Sequence, residues 1–199
     1  MSLDPYAPPL APMQGLTPAE AANTGLKYST FWGRVGAGLL DCLFISPILA
    51  MHFLFGDSVQ FYTLSMWIFP LVSLFYYVFL VAKFGATPGK LVLGQRISML
   101  DGSPVTAKAA FMRYSLWWIL AIVSAIGSTV AVGALSPEAM AGGYMERSLA
   151  LTATTPSWAM AAGYATQALL LASLVVVLIN KQRRTVHDYL AGTVVVRKK

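Results

Sequence analysis

Apolar and polar positions along this chain alternate on the length scale of a bilayer. Residues 58–82, 114–137 and 148–180 hold no Asp, Glu, Lys or Arg over 25, 24 and 33 positions, and about 20 apolar residues suffice for a helix to cross a hydrocarbon layer. Residues 35–55 make a fourth run of 21 positions, whose strongest polar interruptions are Asp41 and His52. In the longest run, 158–179 is densely apolar, whereas 148–156 is Thr-rich and closes on Pro156. The helix is therefore expected to begin after that proline. The pattern predicts an all-α membrane protein with four transmembrane helices near residues 35–55, 61–82, 115–135 and 158–179.

The 31-residue connection 83–113 is too long for a simple turn and carries structure signals of its own. Thr87-Pro88-Gly89-Lys90 places an N-cap residue before a proline at the first helical position, and Gly94 ends the short helix that follows. Residues 95–100, with Arg96, alternate polar and apolar, and Asp101-Gly102 is a hairpin-type dipeptide before a second strand stub at 103–106. Residues 107–114 have helical composition and should run into the third span. Near the C-terminus, Thr185-Val186-His187-Asp188 fits a capping box, with a short helix ending at Gly192 and strand character from Thr193 onward. Strands 96–99 and 194–196 can satisfy one another's backbone groups, so the loop and tail are expected to form a small cytoplasmic cap of short helices and strands.

Composition narrows the class further. With 57% hydrophobic and 11% charged residues, against roughly 25% charged in a soluble domain, too few polar side chains remain to cover a soluble surface. The single cysteine, Cys42, rules out an intramolecular disulfide and, with no second thiol or histidine cluster near it, a zinc or iron–sulfur site. No metal and no cofactor are expected. Residues 1–27, with Pro5, Pro8, Pro9, Pro12 and Pro18, read as a flexible cytoplasmic N-terminus and as neither a signal nor a transit peptide.

Charge sets orientation. In a four-span topology 13 of the 14 basic residues fall on one side and Arg147 alone on the other, so both termini are expected on the cytoplasmic side of the membrane. These basic residues hug the membrane ends instead of forming a separate basic domain. The expected partner is therefore the lipid bilayer and not a nucleic acid. A second copy of the chain and another membrane protein are the remaining candidate partners.

Several of these segments together resemble the RDD family of small bacterial membrane proteins, named for one arginine and two aspartates. The matching stretches are 33–41 with Arg34 and Asp41, 87–97 with Thr87, Pro88, Gly89, Lys90, Gly94 and Arg96, then Asp101-Gly102, Arg113, and 187–195 with His187, Asp188, Gly192 and Thr193. The resemblance implies an RDD-like membrane domain over 28–199, with Arg34 and Asp41 as the arginine and first aspartate. The second aspartate is assigned to Asp188, with Asp101 as the alternative. It implies an integral membrane protein suspected of transport, without an established ligand and without enzymatic activity.

The residues themselves frame the candidate sites. Arg34 and Asp41 lie about 20° from a common helical face and roughly 10.5 Å apart along the axis, and His52 continues the same stripe. An intramembrane carboxylate is expensive enough to point to function by default. Three readings of Asp41 stay open: an ion pair with Arg34, Arg113 or Arg96, a protonated and hydrogen-bonded carboxyl, or an ion- or proton-handling group. His52 is either an interfacial residue or part of a proton path. Arg34, close to the interface, is expected to snorkel, and Gly33, Gly36, Ala37 and Gly38 should admit a partner helix at close range. Asp188 reads first as a capping residue with Arg184 one turn away, and Asp101 as a turn residue.

A phosphate loop at 85–90 fails on spacing, with three residues between the glycines and Leu91 where Ser or Thr would hold magnesium. No catalytic constellation is present, and an enzyme is not expected. Two functions follow: a small transporter or ion/proton exchanger, or a non-transporting membrane scaffold or assembly partner. Asp41 separates them, since transport calls for a water-accessible carboxyl and scaffolding for a sealed one.

Overall fold

The computed structural model describes residues 27–56 and 58–197, so the proline-rich N-terminus, Lys27 apart, lies outside the described residues. The elements in chain order are α1 (Phe31–Phe55), α2 (Val59–Phe84), α3 (Pro88–Val92), β1 (Gln95–Met99), α4 (Ala107–Gly133), α5 (Pro137–Ala141), α6 (Tyr144–Thr154), α7 (Ser157–Ile179), α8 (Val186–Ala191) and β2 (Thr193–Arg197). Four of them, α1, α2, α4 and α7, are long and apolar enough to cross a membrane. The chain is a multi-pass membrane protein of the all-α class.

Two spans begin earlier than hydropathy alone places them. Thr30 caps α1 by accepting from the Gly33 N–H, and Thr106 caps α4 by accepting from the Ala109 N–H. A helix starts where its first free N–H groups find an acceptor, not where the chain enters lipid. The connection 136–156 folds as α5 and α6, with Ser136 capping the first and Glu146 accepting from the Gly143 N–H at the second.

Packing between spans relies on small residues, because lipid tails are as apolar as the side chains and provide little hydrophobic drive. α4 is central and touches α2, α7 and α8. A Cβ on Gly127 would stand 2.1 Å from the Ala159 Cβ, so the glycine sets how closely α4 and α7 approach. α1 is the least covered span, packing on α3 and α2 while Leu39, Leu43 and Leu54 face outward. Pro47 inside α1 cannot donate to the Leu43 carbonyl, and the Ser46 hydroxyl donates to it instead at 2.8 Å.

The two expected strands do pair. β1 and β2 run antiparallel with Ile97 opposite Val195 and Ser98 opposite Val194. The segment before α1 adds to the free edge of β2 through Ser29 N to Val195 O at 2.9 Å and Arg197 N to Lys27 O at 2.8 Å. Val81, Ile97, Val105, Ala109, Ala110 and Val195 form a buried cluster where this sheet meets the ends of α2 and α4. Complete burial of a valine is worth about 1.5 to 3 kcal/mol where water is the alternative. At this end of the bundle, burial from water drives assembly in a way it does not along the spans.

Candidate functional site

Asp41 sits ten residues into α1, about 15 Å along the helix axis, and is 2% exposed. Two elements bring donors to it. α2 widens into a π-turn at Phe75–Phe79, which contains Tyr76, and the Tyr76 hydroxyl donates to Asp41 Oδ1 at 2.7 Å. Gly85, at φ +73°, then ends α2 in the left-handed conformation and the chain returns toward α1. Thr87 Oγ1 donates to Asp41 Oδ2 at 2.7 Å, the Gly89 N–H to Oδ1 at 2.8 Å, and Lys90 Nζ approaches Oδ2 at 3.5 Å.

This is a helix cap supplied by another helix. Pro88 has no N–H, so Gly89 presents an early free donor of α3, and Asp41 accepts it. Thr87 has the backbone of an N-cap residue but makes no side-chain cap bond, since its hydroxyl is committed to Asp41. A Cβ on Gly89 would lie 2.4 Å from the Ala37 carbonyl oxygen and 2.6 Å from Asp41 Oδ1. Only glycine permits that approach. Ala37 thus admits the short α3 and not another span, Gly36 meets Leu93 just beyond it, and Gly38 has nothing within 4 Å.

Asp188, on α8, is 0% exposed. Arg34 Nη1 donates to its Oδ2 at 2.8 Å, and Arg113 Nη1 donates to its Oδ1. The Thr185 N–H and hydroxyl reach Oδ2 at 2.9 and 2.8 Å, and Thr193 Oγ1 reaches Oδ1 at 3.2 Å. The capping box is present, and the same carboxylate also ties the starts of α1 and α4 to the C-terminal segment. Arg184 bonds the Asp188 carbonyl at 3.0 Å and the Thr193 carbonyl at 3.2 Å, not the carboxylate.

Residues 28–192 match the sequence model of the RDD family. The chain belongs to the RDD family. Neither the comparison with curated proteins nor that with solved structures yields a match. In this RDD protein the arginine and the two assigned aspartates do not form one triad. Arg34 is bound to Asp188, and Asp41 has Lys90 as its cationic neighbour, not Arg34, Arg113 or Arg96. Arg34 does not snorkel either: its side chain is 10% exposed and turned inward, because Asp188 gives it a buried counter-charge.

Burial pushes the Lys90 ammonium down to about 8, with Asp41 opposing that and Arg113 and Arg34 adding to it. The same burial, reinforced by Arg113, Lys90 and Arg34, holds His187 well below its ordinary value, and its Nδ1 is buried without a hydrogen-bond partner. His187 is therefore neutral in the fold and free to protonate only on unfolding. Unfolded chains then bind the extra proton below an ordinary value of about 6.5, so stability is complete above that pH and falls as pH drops. Between about pH 7.5 and 5.5 this should remove up to about 1.4 kcal/mol. Thermal unfolding in detergent at the two pH values should show a smaller acid loss in His187→Gln than in the parent, and equal losses would dismiss the neutral buried ring.

The remaining RDD motif residues are placed around this pair of carboxylates or at turns. Gly94, Gly102 and Gly192 carry positive φ, Asp101 accepts from the Ser103 N–H and hydroxyl in a surface turn, and Arg96 is exposed on β1. His52 is not part of the cluster: its Nδ1 pairs with Ser65 Oγ at 2.7 Å toward the opposite end of α1. Tyr76 is the participant that sequence reasoning passed over. A tyrosine in an aromatic run gives no sign of a polar duty until a widened turn of α2 aims it at α1. Among the described residues no group of three or more His, Cys, Asp or Glu could hold a metal.

Proposed function

We propose that this RDD protein is a non-transporting membrane scaffold or assembly partner, embedded in a bacterial plasma membrane with both termini and the paired strands on the cytoplasmic side. The observation that carries the reading is the saturation of Asp41. A carboxylate offers about four lone-pair sites, and Tyr76, Gly89, Thr87 and Lys90 supply four donors. A transported ion needs a carboxylate with free lone pairs and a path for water, whereas a clamp needs every lone pair occupied. Asp41 fastens α3 to α1, and Asp188 fastens α8 to α1 and α4, which gives a rigid surface on one side of the bilayer for another membrane protein or a second copy. Orientation rests on the basic residues, which cluster at the sheet end of the bundle.

A second reading is a proton-coupled exchanger, favoured by Lys90 alone. A buried ammonium near pKa 8 beside a carboxylate can lose and regain a proton close to neutral pH. Proton and cation flux into liposomes holding the purified protein tests both. The scaffold reading expects no flux above empty liposomes for the parent or for Asp41→Asn. Flux in the parent that Asp41→Asn abolishes would establish the exchanger in its place.

A further inference from the structure

The opposite end of the bundle holds the one basic residue that stands apart from the rest. Arg147, on α6, is 7% exposed, and its hydrogen bonds are one from Nη1 to the Gly142 carbonyl at 3.5 Å and its own helical N–H. Among the described residues it has no carboxylate partner. A guanidinium carries five N–H donors and keeps its charge. A charge buried at a membrane end without a counter-charge is costly unless something arrives to pair with it.

Arg147 faces a cavity of about 230 Å³, whose other polar lining residues are His52, Tyr62, Tyr144 and Ser148. The tyrosine and serine hydroxyls at 62, 144 and 148 have no partner among the described residues. The tautomer of His52 follows from its neighbour. Ser65 Oγ donates to the Tyr62 carbonyl at 2.7 Å, so toward the ring it must accept, and His52 Nδ1 donates. In the neutral ring Nε2 is then an acceptor and adds no donor to the cavity.

We infer that this cavity binds a compact oxyanion, a phosphate or carboxylate group, with Arg147 as the charge anchor and the hydroxyls of Tyr62, Tyr144 and Ser148 as secondary donors. The fork of a guanidinium matches such a group bidentately. The volume equals that of about seven or eight waters, enough for one oxyanion and a short stem, and small beside a site for a drug-sized ligand. Two sources supply this chemistry. Leu49 and Phe53, which also line the cavity, are 60% and 56% exposed. An anionic lipid headgroup could therefore enter with its chains along α1, and a free anion could enter from the water phase. The inference is independent of the scaffold reading, which rests on the other end of the molecule.

The test uses the full chain in a phosphate-free maltoside detergent, titrated in one arm with inorganic phosphate and in the other with dihexanoyl phosphatidylglycerol, with dihexanoyl phosphatidylcholine as the zwitterionic control. The readout is the thermal midpoint, which a ligand of the folded state raises saturably. At least one arm should raise it beyond the control, the responding arm names the source, and Arg147→Gln should weaken that response tenfold or more. Tyr144→Phe and Ser148→Ala delete single hydroxyls without touching the charge, and each should weaken it about threefold. No response in either arm, or an unchanged response in Arg147→Gln, overturns the inference. If Arg147→Gln does not fold, parent-like binding in both hydroxyl variants overturns it as well. Asp57, which follows the cavity residue Gly56 in sequence, lies outside the described residues and is tested directly: binding that emerges only in Asp57→Asn would make the chain's own carboxylate the occupant and end the proposal.

Discussion

Asp188→Asn is expected to destabilise this protein by about 3 to 5 kcal/mol, the range for removing one partner of a buried ion pair. Two guanidiniums share the carboxylate, from Arg34 and Arg113, and the residue they share is completely buried. Neither can shed its proton at physiological pH, so both would stay charged against an amide with one acceptor oxygen. The Thr185 N–H and hydroxyl would compete for that same oxygen, and the capping box of α8 would open with it. For a chain of this size the loss corresponds to a fall of roughly 10 °C in thermal midpoint. Coupling is the sharper measurement. Arg113→Gln combined with Asp188→Asn removes one of the stranded charges, so the double variant should be more stable than the sum of the two single losses predicts. Simple additivity would mean that Arg113 and Asp188 do not act as a pair.

Asp41→Asn should cost about 3 kcal/mol, somewhat less than loss of the Asp188 charge, and for an identifiable reason. If the amide nitrogen faces Thr87 and Lys90, the threonine hydroxyl can turn and accept, leaving Lys90 without a counter-charge. If it faces Tyr76 and Gly89, it meets two donors, one of them a backbone N–H that cannot turn. The first arrangement is the better one. Its remaining penalty is the Lys90 ammonium, which burial already holds near pKa 8. In Asp41→Asn the ammonium loses its supporting charge, and at pH 9 and above it is neutral and no longer strains the site. The deficit of Asp41→Asn relative to the parent should therefore shrink from pH 7 to pH 9, while that of Asp188→Asn holds constant because arginines do not deprotonate. Lys90→Met placed on Asp41→Asn should recover part of the loss at pH 7. A variant as stable as the parent at neutral pH would mean that Asp41 is neither ionised nor clamping α3.

Flux measured beside stability separates the two functions. A clamp loses stability when its carboxylate is replaced and gains no transport in exchange. An exchanger loses its flux on the same substitution.

Readable from the chain alone were the properties that depend on residues near one another in sequence. Charge-free runs of bilayer length located three spans, and an apolar run broken by Asp41 located the fourth. Cap and turn chemistry located α3 and α8, the capping box at Thr185 and Asp188, and the glycines that leave each short helix. Alternation located the first strand and β-branched character the second, and their pairing followed from the need to satisfy two short edges. The motif residues were recognisable as a set for the same reason: their order and spacing are linear features.

What only the tertiary structure decided is which charge meets which. Along α1, Arg34 and Asp41 share a face, and on an isolated helix that made them natural partners. In the fold Arg34 is answered by a carboxylate 154 positions away, and Asp41 by an N–H and a hydroxyl 48 and 46 positions away. Helical periodicity states the direction in which a side chain leaves its own axis. It says nothing of what another helix brings to that side, which here depends on a π-turn that aims Tyr76, a left-handed Gly85 that folds the chain back, and a missing Cβ at Gly89. Partner choice among buried charges is settled by backbone approach at the scale of one methyl group, and that distance is set by packing, not by sequence separation.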